Sequence, residues 1–184
     1  LSRGLGDVYK RQVLDRREAT KWDVCIRSTL PQYVFSNAVK LMEEPLCLAF
    51  HKDSWLRNVE KVRLSDIRNE KFVMLRSGGS IRTISDAIFE KEGIIPDIAF
   101  ECDTVNILRR MVQEGLGIAI WPRYSWRDHL RSETDFENVC YRPIDNNEFK
   151  RSLYLILQKD LKMTEELAKF CKYTEAYFDS IKKE

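Results

Sequence analysis

The sequence has few of the residues that would bind a metal ion. Its only histidines, His51 and His129, lie far apart, and no two of its five cysteines have the spacing of a metal site. The cysteines are odd in number, widely spread and mostly within apolar runs, which favours reduced thiols over a disulfide framework. We therefore expect a chain that has neither a metal nor a cofactor.

Long apolar stretches and export signals are also missing. No run approaches the roughly 20 apolar residues that a bilayer span needs, and no signal peptide opens the chain. These absences predict a cytoplasmic protein that has no membrane partner.

Neither sign of charge dominates. Lys and Arg number 31 against 29 for Asp and Glu, so the net charge of +2 gives no reason to expect a nucleic-acid surface in this segment. A hydrophobic fraction of 43%, with only seven glycines and five prolines, is typical of a folded globular chain. If the protein binds DNA, we expect the contact to be made by another part of it.

The opening segment, residues 1–12, reads "LSRGLGDVYKRQ". It has no hydrophobic period and resembles the peptide produced when sequencing-adapter DNA is translated. We expect it to be non-native, with the natural sequence beginning near Val13. The alternative is a polar N-terminal arm.

Strand-like and helix-like segments alternate along the rest of the chain. "WDVCI", "EEPLCLAF", "KFVML", "IAFEC", "GIAIWP", "ENVCYRPI" and "RSLYLILQ" predict strands. "SIRTISDAIFEKEG", "DTVNILRRMVQEGLG" and "TEELAKFCKYTEAYFDSIKK" predict helices, and "LSDIRN" predicts a short helix capped by Ser65. This alternation predicts an α/β fold with a largely parallel sheet, whose ligands bind beyond the carboxyl ends of the strands.

In the last of these helices, the apolar face is predicted to consist of Leu167, Phe170, Tyr173 or Thr174, and Tyr177.

The turn "RSGGSIRT" joins a predicted strand to a predicted helix. Backbone N–H groups and a hydroxyl at the positive end of a helix dipole suit an anion. Gly78, Gly79 and Ser80 match neither the phosphate-loop pattern nor the dinucleotide-binding pattern. The alternative is a flexible turn that ends in an ordinary helix cap.

Signs of catalysis are weak. Ser28, Ser77 or Ser80 could act as a nucleophile only beside a base, and neither histidine is credibly placed to serve as that base. The pair Glu43 and Glu44 is predicted to lie at a solvated helix end. We therefore expect a binding protein and not an enzyme.

The order of the segments resembles the effector-binding domain of LysR-type transcriptional regulators. The most specific motif is "MVQEGLGIAIWP", which is similar to the family's Val-x-x-Gly-x-Gly-Ile-x-x-x-Pro signature. "WDVCI", "EEPLCLAFHKDSWL" and "RSLYLILQKDL" occur in the same order as in the family. The resemblance covers nearly everything after Val13.

The resemblance implies two Rossmann-like lobes of the type 2 periplasmic-binding-protein kind, joined by two crossing strands near 50–53 and 144–151. Residues 13–53 and 144–184 would form the first lobe and residues 54–143 the second. The first lobe would be incomplete, because its opening strand, helix and strand are missing. An incomplete sheet leaves an exposed edge that can pair abnormally.

For the site, the resemblance implies an effector, a carboxylate or other anion, bound between the lobes. The implied ligand-binding residues are Ser28, Thr29, Ser77, Gly78, Gly79, Ser80, Asp103, Thr104 and Trp121. Asp103 and Thr104 are equally candidates for helix caps, and Trp121 for the core. Arg76 and Arg82 could pair with an anion but more often solvate a surface.

The function that follows from the resemblance is that of an effector-sensing regulatory domain. DNA would be bound only through an absent N-terminal winged helix-turn-helix, and the full-length protein would be a homodimer or homotetramer. The alternatives are a solute-binding protein of a transport system and an enzyme of the cyclohexadienyl dehydratase or porphobilinogen deaminase sort. Since some family members sense oxidants, Cys102 is a candidate redox thiol.

Overall fold

A computed structural model describes residues 22–32, 35, 37–125, 138–145 and 149–181. The predicted non-native segment 1–12 and His129 lie outside the described residues. Among those that are described, the strands are β1 (Val24–Thr29), β2 (Ala38–His51), β3 (Lys71–Leu75), β4 (Asp97–Cys102), β5 (Ala119–Pro122), β6 (Val139–Pro143) and β7 (Lys150–Leu157). The α-helices are α1 (Ser80–Lys91), α2 (Val105–Gln113) and α3 (Glu165–Ile181), and two short 3-10 helices span Trp55–Asn58 and Leu64–Ile67.

Contacts between residues divide the chain into two compact units. The first comprises the described residues within 1–27, 32–42 and 153–184, and the second those within 28–31 and 43–152. Strand β2 passes from the first unit to the second after Met42, and β7 passes back after Ser152. The lobe boundaries expected from the sequence stay a prediction.

The strands form two sheets. The larger has the order β1-β7-β2-β5, with β6 also paired to β2, and the smaller consists of β3 and β4. In the second unit, β2 runs antiparallel to β5 and to β6, whereas β3 and β4 are parallel. The expectation of a largely parallel sheet is therefore wrong for β2. An apolar run indicates that a strand is buried. It does not indicate whether the strand runs parallel or antiparallel to its neighbours.

Helix α1 packs its apolar face against β3. Ile81, Ile84, Ile88 and Phe89 are buried, and the rings of Phe89 and Phe72 meet edge to face with centroids 5.2 Å apart. Burying each such side chain contributes roughly 1.5–3 kcal/mol. The three isoleucines recur at intervals of three and four residues, and this spacing fixes which face of α1 is turned away from solvent.

The two glycines of the "EGLG" segment have different roles. Gly115 follows the end of α2 with a φ of +70°, a conformation that residues with a side chain rarely adopt. At Gly117, an added Cβ would lie 2.6 Å from the carbonyl oxygen of Lys71. The neighbouring Ile118 N–H donates to that same oxygen at 2.8 Å. The close approach of the two backbones therefore requires a glycine at 117.

The buried face of α3 differs from the predicted one. Thr174, Phe178 and Ile181 are buried, whereas Phe170, Tyr173 and Tyr177 are 48%, 72% and 45% exposed. The predicted face was therefore wrong at Phe170, Tyr173 and Tyr177 and right at Thr174, and Leu167 is half-buried. The buried positions keep helical spacing but lie one residue further along the chain, and tyrosine hydroxyls can remain in water.

The predicted cap at Ser65 was also wrong. The 3-10 helix Leu64–Ile67 begins after Arg63, whose N–H donates to the Asp66 carboxylate at 3.2 Å. Ser65 is the second residue of that helix.

Within the described part of the chain, no helix is long and apolar enough to cross a membrane.

Candidate functional site

The turn between β3 and α1 leaves the start of a helix without a side-chain cap. Gly79 occupies the N-cap position and has no side chain, and Gly78 has a φ of +102°. The carbonyl of Gly79 accepts from the N–H and the hydroxyl of Thr83, both at 3.0 Å. Gly79 therefore offers no side-chain acceptor to the N–H groups of the first turn. These N–H groups remain as donors at the positive end of α1.

Helix α2 begins differently. Its N-cap residue is Thr104, whose hydroxyl oxygen accepts from the Ile107 N–H at 3.4 Å. Asp103, beside it, forms an ion pair with Arg76 at 3.1 Å, and both side chains are about two-thirds exposed. The N–H of Arg76 donates to the carbonyl of Cys102 at 2.8 Å, which brings together the carboxyl ends of β3 and β4. The structure therefore places Asp103 at the same sheet edge as the turn, and Thr104 acts as a helix cap.

Ser28 contacts the first residue of α1. Its Oγ donates a hydrogen bond to Ser80 Oγ at 2.8 Å. The predicted strand "WDVCI" ends at Ile26, whereas β1 continues to Ser28 and Thr29, which are its last two residues. The strand continues because the first residue that cannot donate to a ladder is Pro31, two positions later.

Thr29 and Ser77 differ in their exposure to solvent. Thr29 is only 2% exposed, and its hydroxyl has no hydrogen-bond partner among the residues that the structure describes. Neighbouring side chains on a strand point to opposite faces, so Thr29 is turned away from the face of Ser28. Ser77 is exposed in the turn before α1.

Arg151, on β7, links Ser28 to two further residues. Its Nη1 donates to Ser28 Oγ at 3.4 Å, its Nη2 to Ser125 Oγ, and its Nε to a carboxylate oxygen of Glu44 at 2.8 Å. The side chains of Arg151 and Glu44 are 7% and 0% exposed. Burial lowers the pKa of Arg151, and the Glu44 carboxylate opposes that shift.

Glu44 is fully satisfied as an acceptor. One carboxylate oxygen accepts the backbone N–H groups of Tyr124 and Ser125, at 2.7 and 2.5 Å, and the other accepts from the Ser125 hydroxyl at 3.0 Å. The sequence-based placement of Glu43 and Glu44 at a solvated helix end was wrong, since both lie on β2. The sequence did contain a signal for an ion pair here. Acidic residues open the apolar strand "EEPLCLAF", and basic residues open the apolar strand "KRSLYLIL".

The guanidinium of Arg82 is paired with acidic side chains of the protein. Its side chain is 12% exposed and contacts Asp86 at 2.8 Å, Glu101, and the carbonyl of Leu75 at 3.0 Å. Burial lowers the pKa of Arg82, but hydrogen bonds to Glu101 and Asp86 outweigh it and raise the pKa overall. The cation therefore braces the start of α1 against β3 and β4.

Trp121 belongs to the core of the second unit. It is 2% exposed, the guanidinium of Arg109 lies over its ring at 5.0 Å, and the ring of Tyr141 meets it edge to face at 5.4 Å. A ring so enclosed by protein has little surface left for a ligand.

Two cysteines of the second unit are buried thiols. Cys102 is 5% exposed and its Sγ lies within hydrogen-bonding distance of the carbonyls of Met74 and Thr104, at 3.6 and 3.7 Å. Burial raises the pKa of Cys102, and Asp103 raises it further. Burial also raises the pKa of Cys47 to about 12. Both sulfurs are therefore protonated near neutral pH.

A model of the LysR substrate binding domain matches residues 8–179 of this chain. The chain belongs to this family. Membership confirms the predicted effector-sensing domain and argues against a solute-binding protein of a transport system. No cluster of three or more His, Cys, Asp or Glu side chains that could hold a metal ion occurs within the described ranges.

Relatives of this LysR domain are regulators of transcription. It is 30% identical over 152 residues to the hydrogen peroxide-inducible genes activator of Pectobacterium carotovorum, and 27% identical over 152 residues to the dual regulator OxyR of Escherichia coli. Each alignment covers 83% of this chain and 49% or 48% of the relative. The chain thus spans about half the length of the curated relatives it matches.

Solved structures show the same fold. The regulatory domain of CcmR from Synechocystis, in complex with 2-PG, matches with a TM-score of 0.74 and 18% identity, covering 94% of this chain and 78% of that one. The effector-binding domain of QuiR, in complex with shikimate, matches with a TM-score of 0.70 and 18% identity, covering 95% and 78%. The predicted α/β fold of LysR effector-binding domains is therefore confirmed.

Proposed function

We propose that this LysR domain senses a small carboxylate that binds at the N terminus of α1. The observation that carries the proposal is the start of that helix, where Gly79 supplies no cap and the hydroxyls of Ser28 and Ser80 meet at 2.8 Å. The proposed ligand-contacting residues are Ser28, Ser77, Gly78, Gly79 and Ser80.

The charges around this turn favour binding through N–H and O–H donors. Arg76 is paired with Asp103, and Arg82 with Asp86 and Glu101. An arriving carboxylate would compete with these acids for either arginine. Among the described residues, no acidic side chain caps the N–H groups at the start of α1, so these groups and the helix dipole can stabilise an anion directly.

Of the other residues expected from the sequence, Asp103 lies at the same sheet edge as the turn and remains a candidate, whereas the buried Thr29 faces away from Ser28. Thr104 serves α2 as its cap, and Trp121 is enclosed in the core. We therefore leave Thr104 and Trp121 out of the proposed contact set.

Thiol chemistry is not part of the proposal. Several relatives are named for hydrogen peroxide, which thiolates attack readily. Burial raises the pKa of both Cys47 and Cys102, which keeps those thiols protonated and slow to react. The buried state of these two sulfurs supports reversible binding of an effector over oxidation at either position.

For the whole protein, we propose a transcription regulator that binds DNA through a winged helix-turn-helix outside this chain. The support comes from the family and from a relative, CbnR, whose full-length structure was solved in complex with its target DNA. A homodimer or homotetramer and a cytoplasmic location are part of the same proposal. The effector would act by shifting the balance between conformations of the assembled regulator.

The test is a thermal-shift screen of the 184-residue chain against small carboxylates, including shikimate, benzoate and acetate. A carboxylate at about a hundred times its dissociation constant stabilises the folded state by roughly 2.7 kcal/mol. We expect Ser80→Ala to reduce the shift at a fixed subsaturating concentration.

The matched control is Ser77→Ala, a serine of the same turn that has no role in the contact between Ser28 and Ser80. We expect it to reduce the shift less than Ser80→Ala does. A carboxylate that stabilises wild type and Ser80→Ala equally would contradict the proposed site.

A further inference from the structure

Arg151 favours one direction for the hydrogen bonds at the start of α1, because a hydroxyl that accepts a hydrogen bond becomes a better donor. A guanidinium carries only donors, so Arg151 Nη1 must donate to Ser28 Oγ, which lies 3.4 Å away. The hydroxyl of Ser28 then uses one oxygen lone pair to accept, and its single proton is available for the next oxygen in line.

That next oxygen is Ser80 Oγ, which accepts from Ser28 at 2.8 Å. Since Ser80 is already an acceptor in this bond, its own proton is left to donate to a third partner. The order of donation is therefore Arg151 to Ser28 to Ser80, and it leaves an O–H donor beside the N–H groups at the start of α1.

We propose that Arg151, held in place by Glu44, orients the Ser28 and Ser80 hydroxyls so that Ser80 donates, and that this selects carboxylates over the corresponding uncharged amides. The inference rests on the proposed function and adds the source of its specificity. Arg151 is a positioning residue that acts through Ser28.

Glu44 fixes the guanidinium in the orientation that this order needs. Nε donates to Glu44 and Nη2 to Ser125, so the plane of the guanidinium is held on two sides. Glu44 is itself held by the backbone N–H groups of Tyr124 and Ser125. A buried pair held by these hydrogen bonds cannot turn without losing several of them.

The pair also explains why Arg151 would act through the direction of hydrogen-bond donation and not through its own charge. The positive charge of Arg151 is balanced by Glu44, so little remains to attract an anion. A carboxylate presents two acceptor oxygens, one for the Ser80 hydroxyl and one for the N–H groups of the helix. A carboxamide presents one oxygen, and its NH2 group would face a donor.

The test uses the smallest matched probes, acetate and acetamide, at constant ionic strength. Their dissociation constants are measured on the whole 184-residue chain by two-dimensional NMR, following the backbone amides of Gly79 and Ser80. We expect acetate to bind wild type about tenfold more tightly than acetamide, a preference of about 1.4 kcal/mol.

Two variants of Ser28 separate orientation from packing. In Ser28→Ala, the Ser80 hydroxyl is free to turn, and we expect the acetate-to-acetamide ratio to fall at least about threefold, a change of about 0.65 kcal/mol. Ser28→Thr keeps the hydroxyl and should restore most of the ratio. Ser65→Ala, in the 3-10 helix Leu64–Ile67 and outside the proposed contact set, should leave the ratio unchanged.

Arg151→Lys provides a second route to the same result. It keeps the positive charge beside Glu44 but loses the fixed donor to Ser28, so we expect the same fall in the ratio. If Ser28→Ala weakens both probes equally and keeps their ratio, the orientation role is overturned. If acetate does not shift the Gly79 and Ser80 amides of wild type at all, the anion site itself is overturned, and the inference with it.

Discussion

The Arg151 guanidinium and the Glu44 carboxylate form an ion pair, 2.8 Å from nitrogen to oxygen, that is almost entirely buried. The two residues are 107 positions apart in the chain. They lie on β7 and β2, which are the strands that pass from one compact unit to the other. One residue earlier on each strand, Lys150 and Glu43 pair at 2.7 Å with side chains 39% and 34% exposed.

These two pairs should differ greatly in their effect on stability. Glu44→Gln leaves the charge of Arg151 buried without its partner, and we expect a loss of about 3–5 kcal/mol in the free energy of unfolding. Glu43→Gln removes a more exposed pair, which should cost at most about 1 kcal/mol. Urea unfolding of the two variants measures both values.

A double variant provides the corresponding control. Combining Glu44→Gln with Arg151→Met removes the unpaired charge and keeps an acceptor oxygen for the N–H groups of Tyr124 and Ser125, so it should recover most of the stability lost in Glu44→Gln alone. Equal losses for Glu43→Gln and Glu44→Gln would show that burial does not set the strength of the pair.

The sequence predicted the locations of most strands and helices but not the Glu44–Arg151 pair. Apolar runs such as "KFVML" and the spacing of Ile81, Ile84 and Ile88 follow directly from burial, which is local in sequence. A contact 107 residues apart has no such local period. Sequence reasoning found Ser80 from the turn that precedes a predicted helix and Ser28 as a ligand contact through the family resemblance, and it missed Ser125.

Gly117 should tolerate no side chain. Its Cβ would lie 2.6 Å from the Lys71 carbonyl, so in Gly117→Ala the hydrogen bond from Ile118 to Lys71 must shift. We expect a loss of roughly 1–3 kcal/mol, measured by urea unfolding. At Gly79 an added Cβ would meet its nearest atom only at 3.9 Å, so Gly79→Ala should cost clearly less. An equally small loss in both variants would show that the close backbone approach is not required.

Cys47 and Cys102 should react slowly with hydrogen peroxide and with iodoacetamide at neutral pH. Burial raises the pKa of both thiols, and the thiolate is the reactive form. Mass spectrometry of the native protein, residue by residue, should show little modification at either cysteine, whereas unfolding in urea should expose both. Rapid oxidation of native Cys102 would instead support a redox sensor.

Alkaline pH should destabilise the fold through Cys47. Its pKa is raised from an ordinary value of 9.0 to about 12, so above pH 9 the unfolded chain releases a proton that the folded chain retains. The free energy of unfolding should therefore fall between pH 9 and 12, with this thiol contributing at most about 1.4 kcal/mol per pH unit. Cys47→Ala should show a shallower fall over that range, and an unchanged slope would contradict the assignment.

The most direct test of the central claim is a crystal structure of the chain with the carboxylate that gives the largest thermal shift. We expect one carboxylate oxygen to lie about 2.6–3.0 Å from Ser80 Oγ and the other within about 3.2 Å of the N–H groups at the start of α1. In that complex, Arg151 should still contact both Glu44 and Ser28. A carboxylate bound away from Gly79 and Ser80, with the hydrogen bond between Ser28 and Ser80 unchanged, would contradict the account.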